Sequence, residues 1–368
     1  VCFLCAGTIF STGGQKGQEN ELSLLAKAIG RLPGASLVLS ARLSMTLLAA
    51  TSVLVIAGFA FNEIFLYWFP NFGFAFLLLG LILISNLLRS SWAATLQLLL
   101  VACSLVSFSI LLINGLFSAP SSDLTTLGSE PTSLAAATGA VLLFLGFDLI
   151  LNSEQKNKLF PAVAAISTIF VLFVLWGAVS RMHVPATSLT ESTLPHLKAA
   201  RAVMGQNGRL LMGIVVICGA TAAVNGLFLY MGQTVRGLAD QDLLPPLKGD
   251  SLHRLASILM AVTIGVFMMT GLAGDDKLTI YYRGALLLWL VLLAARCGAM
   301  ALQPSVGRNF SIIGVAAGCT MAIASIILCY TAESSSELIV FCLLAYAGGL
   351  LLVMAWPALV KLFPKLKR

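Results

Sequence analysis

An acidic residue lies inside an apolar run, LLFLGFDLILNSE, at residues 142–154. Asp148 follows Gly146 by two positions, and Phe144 and Phe147 flank that glycine. An ionisable side chain inside an apolar helix is costly, so it normally faces a bundle interior or a wet cavity. Glycine lets the backbone leave the helix at low cost. A carboxylate beside such a break can pair with an ammonium group or take up a proton.

A structural role for the same carboxylate stays open. Asp148 would then cap a half-helix, or pair with Lys156 or Lys158 near the membrane interface. A second polar side chain, Asn225, lies in the small-residue stretch GATAAVNG at 219–226. It either lines a cavity or bonds to a neighbouring helix.

The composition indicates the class of protein. Of 368 residues, 59% are hydrophobic and 10% charged, with a mean hydropathy of +0.97. Soluble domains carry about 25% charged residues, so we predict an all-α polytopic membrane protein forming one domain over 1–368. The net charge is +7, and we assign it to short loops, where it suits membrane lipid and topology rather than nucleic acid.

Apolar runs predict eleven membrane segments, the first of them truncated. They are 1–12, 37–61, 72–88, 92–117, 134–152, 160–182, 209–233, 255–273, 278–302, 310–331 and 338–357. The connector 183–208 contains proline breaks around a stretch that suits a short surface helix.

The basic residues predict the orientation. If 13–36 is cytoplasmic and later connectors alternate, sixteen Lys and Arg residues face the cytoplasm and six face the other side. This bias predicts a multi-pass protein of the cytoplasmic (inner or plasma) membrane with a cytoplasmic C-terminus.

Four stretches follow one another in an order that is similar to a known family. They are FSTGGQKGQENELSLLAKAIGRLPG (10–34), SNLLRSSWAATLQ (85–97), FLGFD…SEQKNKLFPAV (144–163) and AAVNGLFLYMGQTVRGLADQDLLPP (222–246). Together they resemble the amino acid–polyamine–organocation (APC) permeases, which have the LeuT-like fold. The chain departs from the family pattern in two shortened connectors, 153–160 and 237–245.

The resemblance implies an architecture. The eleven segments match family helices two to twelve, and family helix one is absent from this chain. Residues 1–117 then form the rest of a first repeat, 134–302 an inverted second repeat, and 310–357 two additional helices.

The resemblance also implies a function: secondary active transport of amino acids or related small amines by alternating access, proton-linked or by exchange. Transporters of this fold bind substrate on broken helices, and the candidate substrate-binding residues here are Phe144, Gly146, Phe147, Asp148 and Asn225, with Asp148 as candidate for proton coupling. The alternative is a non-transporting membrane scaffold or sensor that keeps the fold. The GVAAG stretch at 314–318 suits close helix contact within the chain or in a homo-oligomer, and an accessory subunit is also compatible.

No pattern for catalysis or metal binding is found. Cys2 and Cys5 form a CxxC without a second pair, and His183, His196 and His253 are scattered among the connectors. The sequence has no Walker loop, Ser-His-Asp arrangement or carboxylates at catalytic spacing. We therefore expect no enzyme activity, cofactor or metal, and a small-molecule substrate and membrane lipid as partners.

Overall fold

The computed structural model of the chain describes Ala6 and residues 21–88, 90–119, 159–192, 194–244, 251–271, 276–302, 308–331 and 334–362. The predicted segments 1–12 (apart from Ala6) and 134–152 lie outside these residues, as do four candidate site residues: Phe144, Gly146, Phe147 and Asp148.

Eleven helices follow one another in the described ranges. They are α1 (Glu21–Ile29), α2 (Arg31–Ile64), α3 (Asn71–Leu88), α4 (Ser90–Phe117), α5 (Leu159–His183), α6 (Ala186–Thr190), α7 (Pro195–Asp240), α8 (Ser251–Met269), α9 (Asp276–Ala301), α10 (Arg308–Tyr330) and α11 (Ser335–Leu362). All but α1 and α6 are long and apolar enough to cross a membrane. The protein is therefore a multi-pass helical membrane protein.

These nine spans coincide with nine predicted segments, but two are much longer than their apolar runs. Helix α2 begins six residues before 37, and α7 begins fourteen residues before 209. Helix α7 is broken at Met204 and Gly205, where Gly205 has φ +62°. Polar residues extend these helices beyond the apolar run, because hydropathy marks the lipid-facing length rather than the helical length.

Contacts between helix termini define the two ends of the bundle. We call the end that holds the first residues of α2 the proximal end, and the opposite end the distal end. At the distal end, Arg209 of α7 donates to the Glu63 carbonyl oxygen at 2.5 Å. In the same way, the His183 Nε2 atom of α5 lies 2.9 Å from the Gly115 carbonyl oxygen of α4.

The interior of the bundle is built around α2 and α9, the two spans most enclosed by other helices, whereas α4 and α11 expose most of their surface. Helix α2 packs against α1, α3, α7, α8, α9 and α11. Side chains that point inward from α2, α7 and α9 are thus shielded from lipid, and polar groups there must find partners inside the protein.

Small residues allow the closest helix contacts. A Cβ at Gly58 of α2 would overlap the Asn71 carbonyl group at the start of α3. A Cβ at Gly318, the last residue of GVAAG, would lie 3.3 Å from the Ala294 carbonyl oxygen of α9. This glycine therefore serves a contact within the chain, as small residues do at membrane helix interfaces.

Candidate functional site

Asn225 lies fully buried in α7, facing the junction of α3 and α4. Its Nδ2 atom donates to Gln97 Oε1 and to the Ala93 carbonyl oxygen, both at 2.9 Å. Its Oδ1 atom accepts a hydrogen bond from Asn86 Nδ2, also at 2.9 Å. We call Asn86, Gln97 and Asn225 the amide network.

The α3–α4 junction positions this network. Asn86 lies in the last turn of α3, where Nδ2 also donates to the Ile82 carbonyl oxygen at 2.9 Å. Gln97 lies two turns into α4. Ala93 is fully buried, and Gly226 next to Asn225 has no Cβ to separate it from Gln97. Three polar side chains from three helices therefore meet at one position, where Asn86 and Asn225 are buried and Gln97 is partly buried.

The amide network is uncharged, and most of its hydrogen-bonding groups bond to one another. Both donors and the oxygen of Asn225 are used. Asn86 Oδ1 is buried and accepts no hydrogen bond from the residues that the structure describes. Such a network can hold helices together, and it also offers one carbonyl oxygen to a donor from a ligand or water.

A second cluster carries charge. The Glu21 Oε1 atom lies 2.9 Å from Arg296 Nη1 and 3.1 Å from Arg42 Nη2. The Tyr230 hydroxyl donates to Glu21 Oε2 at 3.1 Å. We call these four residues, which come from α1, α2, α7 and α9, the Glu21 cluster.

The cluster is almost fully removed from solvent, since the side chains of Glu21, Arg42 and Arg296 are 3%, 5% and 2% exposed. Burial by itself would raise the pKa of Glu21. The Arg296 and Arg42 guanidinium groups, with hydrogen bonds from Arg42 and Tyr230, outweigh burial and hold that pKa below its ordinary value of 4.5. Glu21 is therefore ionised near neutral pH.

Tyr230 fixes the geometry of the charges. Besides its bond to Glu21, its ring lies 5.0 Å from the Arg42 guanidinium carbon, in a cation–π arrangement. One side chain of α7 thus contacts both an acid of α1 and a base of α2. Any movement of α7 relative to these helices must disturb both contacts.

Helix α7 connects the two groups of polar residues. Asn225 and Tyr230 are five residues apart, which is roughly 7.5 Å along a helix axis. The amide network joins α7 to α3 and α4, whereas the Glu21 cluster joins it to α1, α2 and α9. The two polar groups thus connect α7 to five other helices within a short stretch of its length.

Of the five predicted site residues, Asn225 is the one that the structure describes, and its proposed substrate contact stays a prediction. No residue of the Glu21 cluster was among the predicted site residues. The prediction that the net charge lies in short loops is wrong for Arg42 and Arg296, because both are buried in helices. Their position inside the predicted segments 37–61 and 278–302 was the available signal.

The histidines also differ from the prediction. His183 and His253 lie buried in helices rather than in connectors, and His253 lies against Gly232 of α7. His196 lies in the second position of α7. In the described parts of the chain, no three His, Cys, Asp or Glu residues are placed to hold a metal ion.

Comparison with protein-family models gives no match, and comparison with curated proteins gives no significant match. The fold class and the site chemistry therefore carry the functional argument.

Proposed function

We propose that this protein performs secondary active transport of amino acids or related small amines across the cytoplasmic membrane by alternating access. In this proposal the bundle has the LeuT-like arrangement of two inverted repeats, and the proximal end and the C-terminus face the cytoplasm. The four family-like stretches support this proposal. Its main support is the pattern of contacts between helices, which agrees with two inverted repeats.

Two inverted repeats predict that contacts occur in equivalent pairs. We equate α2, α3 and α4 with α7, α8 and α9. The contact of α2 with α3 then matches the contact of α7 with α8. The contact of α2 with α9 matches that of α7 with α4, and the contact of α2 with α8 matches that of α7 with α3. All six contacts are present, as are two of the three that the exchange leaves unchanged, α2 with α7 and α3 with α8; the third, α4 with α9, has no extensive contact in the described residues.

One contact departs from the pattern, since α3 packs on α4 without an equally extensive contact between α8 and α9 in the described residues. The remaining agreement supports two related halves that can rock against each other. In such transporters the substrate site lies between the repeats near the membrane centre.

The amide network lies at this predicted repeat interface. Asn225 belongs to the second repeat, while Asn86 and Gln97 belong to the first. Carbonyl and amide groups recognise the ammonium and carboxylate groups of an amino acid without adding buried charge. Asn225 therefore remains our candidate for a substrate contact, beside Phe144, Gly146, Phe147 and Asp148.

The test is exchange of a panel of labelled amino acids in proteoliposomes made with the complete gene product. We compare the unchanged protein with Asp148→Asn and Asn225→Ala. The matched control is Asn114→Ala, because Asn114 is an exposed asparagine whose side chain donates to Ile110 of its own helix.

Saturable exchange of one amino-acid class, lost in Asn225→Ala and retained in Asn114→Ala, would support the proposal. Loss of pH dependence in Asp148→Asn would assign proton coupling to that carboxylate. If well-folded protein moves no member of the panel, amino-acid transport is refuted and the scaffold or sensor function takes its place.

A further inference from the structure

Helix α1 is attached to the bundle through its first half. Glu21, Leu22, Leu24 and Leu25 are buried, whereas Lys27 and the residues after it in α1 are exposed. With nine residues α1 is too short to span a membrane. Gly34 of α2 permits the contact, since a Cβ there would lie 3.1 Å from the Leu25 backbone. The helix therefore lies against the proximal end of the bundle.

The polar attachment of α1 differs from that of an ordinary surface helix. Through one carboxylate, α1 is bonded to three spans, by Arg42 of α2, Tyr230 of α7 and Arg296 of α9. In the proposed repeats, α2 belongs to the first half and α7 and α9 to the second. A single acid thus bridges the two halves that alternating access must separate.

We propose that α1 is a latch at the cytoplasmic end of the bundle, and that Glu21 holds it closed by binding Arg42 and Arg296 together. The latch rests on the proposed function for its role in transport. The closed state is the one described here, in which the Glu21 cluster is paired and buried. In the open state Glu21 is separated from the two guanidinium groups, and water reaches all three charges.

Buried charges make such a latch two-state. A guanidinium separated from its carboxylate in a dry interior is strongly disfavoured, so partial opening is not stable. Once water enters, each charge is solvated and the ion pairs lose most of their strength. The latch is therefore either dry and paired or wet and separated, as switching elements in proteins are.

The test measures water access directly and needs no substrate. Thr234 is buried one helical turn after Tyr230 on the same face of α7. A Thr234→Cys probe is placed in a background whose eight native cysteines are replaced by serine. Its labelling by a membrane-impermeant maleimide is then timed in open membrane fragments, where the reagent reaches both ends of the bundle.

The two variants weaken the bonding of Glu21 to different degrees. Glu21→Gln removes the charge that both arginines bind, and Tyr230→Phe removes one hydrogen bond while keeping the charges. We expect labelling of the probe to rise by about tenfold or more in Glu21→Gln, because both guanidinium groups lose their charged partner. The rise should be smaller in Tyr230→Phe, because this variant loses one hydrogen bond and keeps both ion pairs.

A second probe separates opening from unfolding. Thr51 of α2 is fully buried and lies nine residues beyond Arg42 toward the distal end. Faster labelling at Thr234→Cys with Thr51→Cys unchanged supports the latch. Equal acceleration at both probes, or no acceleration at Thr234→Cys in either variant, overturns it. If labelling supports the latch but no amino acid is transported, the proposed substrate class fails and the latch stands.

Discussion

Asn86 Nδ2 donates a 2.9 Å hydrogen bond to Asn225 Oδ1, although the two residues are 139 positions apart in the sequence. Each asparagine is anchored a second time, Asn86 to Ile82 of its own helix and Asn225 to Ala93 and Gln97 of α4. This bond fixes the position of α7 relative to the α3–α4 junction. It follows that a change at Asn225 should affect both stability and any activity of the site.

We expect Asn225→Ala to lower the free energy of unfolding by roughly 1–2 kcal/mol, because it removes three hydrogen bonds and one interhelical bond contributes about 0.6 kcal/mol on average in a membrane protein. The substitution leaves Asn86 Nδ2 and Gln97 Oε1 each without one of its partners. Thermal unfolding in detergent, followed by fluorescence, measures the loss. The control Asn114→Ala should change stability by less than about 0.5 kcal/mol, as surface substitutions usually do.

Tyr230→Phe should destabilise the protein by about 1.5–3 kcal/mol, because it removes a hydrogen bond to a charged acceptor. The aromatic ring remains over Arg42, so the cation–π contact is kept. The matched control is Tyr330→Phe, since Tyr330 of α10 is 90% exposed. Equal stability losses in the two variants would show that the Tyr230 hydroxyl contributes nothing specific.

Glu21 should make stability depend on pH in the acid range. Its pKa in the folded protein is below the ordinary value of 4.5, so the folded state favours the ionised form. Its contribution is fully present above that ordinary value and is lost as pH falls through the lower folded pKa. The stability difference between the unchanged protein and Glu21→Gln should therefore be constant near neutral pH and shrink under acid conditions.

Thermal scans at a series of pH values test this expectation. A difference that begins to shrink near pH 7 would contradict it, because Glu21 would then carry a raised pKa. The parallel variant Glu63→Gln removes an acid that pairs loosely with Arg209, at 3.7 Å and half exposed, and should have little effect.

Gly232→Ala should disturb the contact of α7 with α8. A Cβ at this position would overlap the imidazole of His253, which is itself buried. Overpacking of this kind costs about 1–3 kcal/mol. Thermal unfolding measures the cost, and the control is Gly80→Ala in α3, where nothing lies within 4 Å of the added carbon.

A rescue experiment identifies the cause. If the imidazole is the obstacle, the double variant Gly232→Ala with His253→Ala should lose less stability than the two single losses added together. Strict additivity would place the cost of Gly232→Ala elsewhere.

Much of the fold could be predicted from the sequence, for a simple physical reason. Membrane spans are long because the bilayer is thick, so nine described spans coincide with apolar runs that hydropathy marks directly. Helix ends were less accurate, as α7 shows, because a helix continues through polar residues outside the lipid. The break at Gly205 has no hydropathy signal.

The sequence also marked Asn225, because a polar side chain among small apolar residues must find a partner in a membrane interior. It did not say which partner. Asn86 and Gln97 are brought to Asn225 by the packing of α3 and α4 on α7, which depends on contacts far apart in the chain.

The Glu21 cluster was decided by the tertiary structure alone. A lone Arg42 or Arg296 in an apolar run predicts only that some acid lies near it, and local sequence gives no reason to choose Glu21. Residues 21, 42, 230 and 296 meet because α1, α2, α7 and α9 converge at the proximal end. The sequence by itself determined that this is a membrane bundle, whereas three-dimensional packing determined which buried charges pair, because ion pairing depends on distance in space.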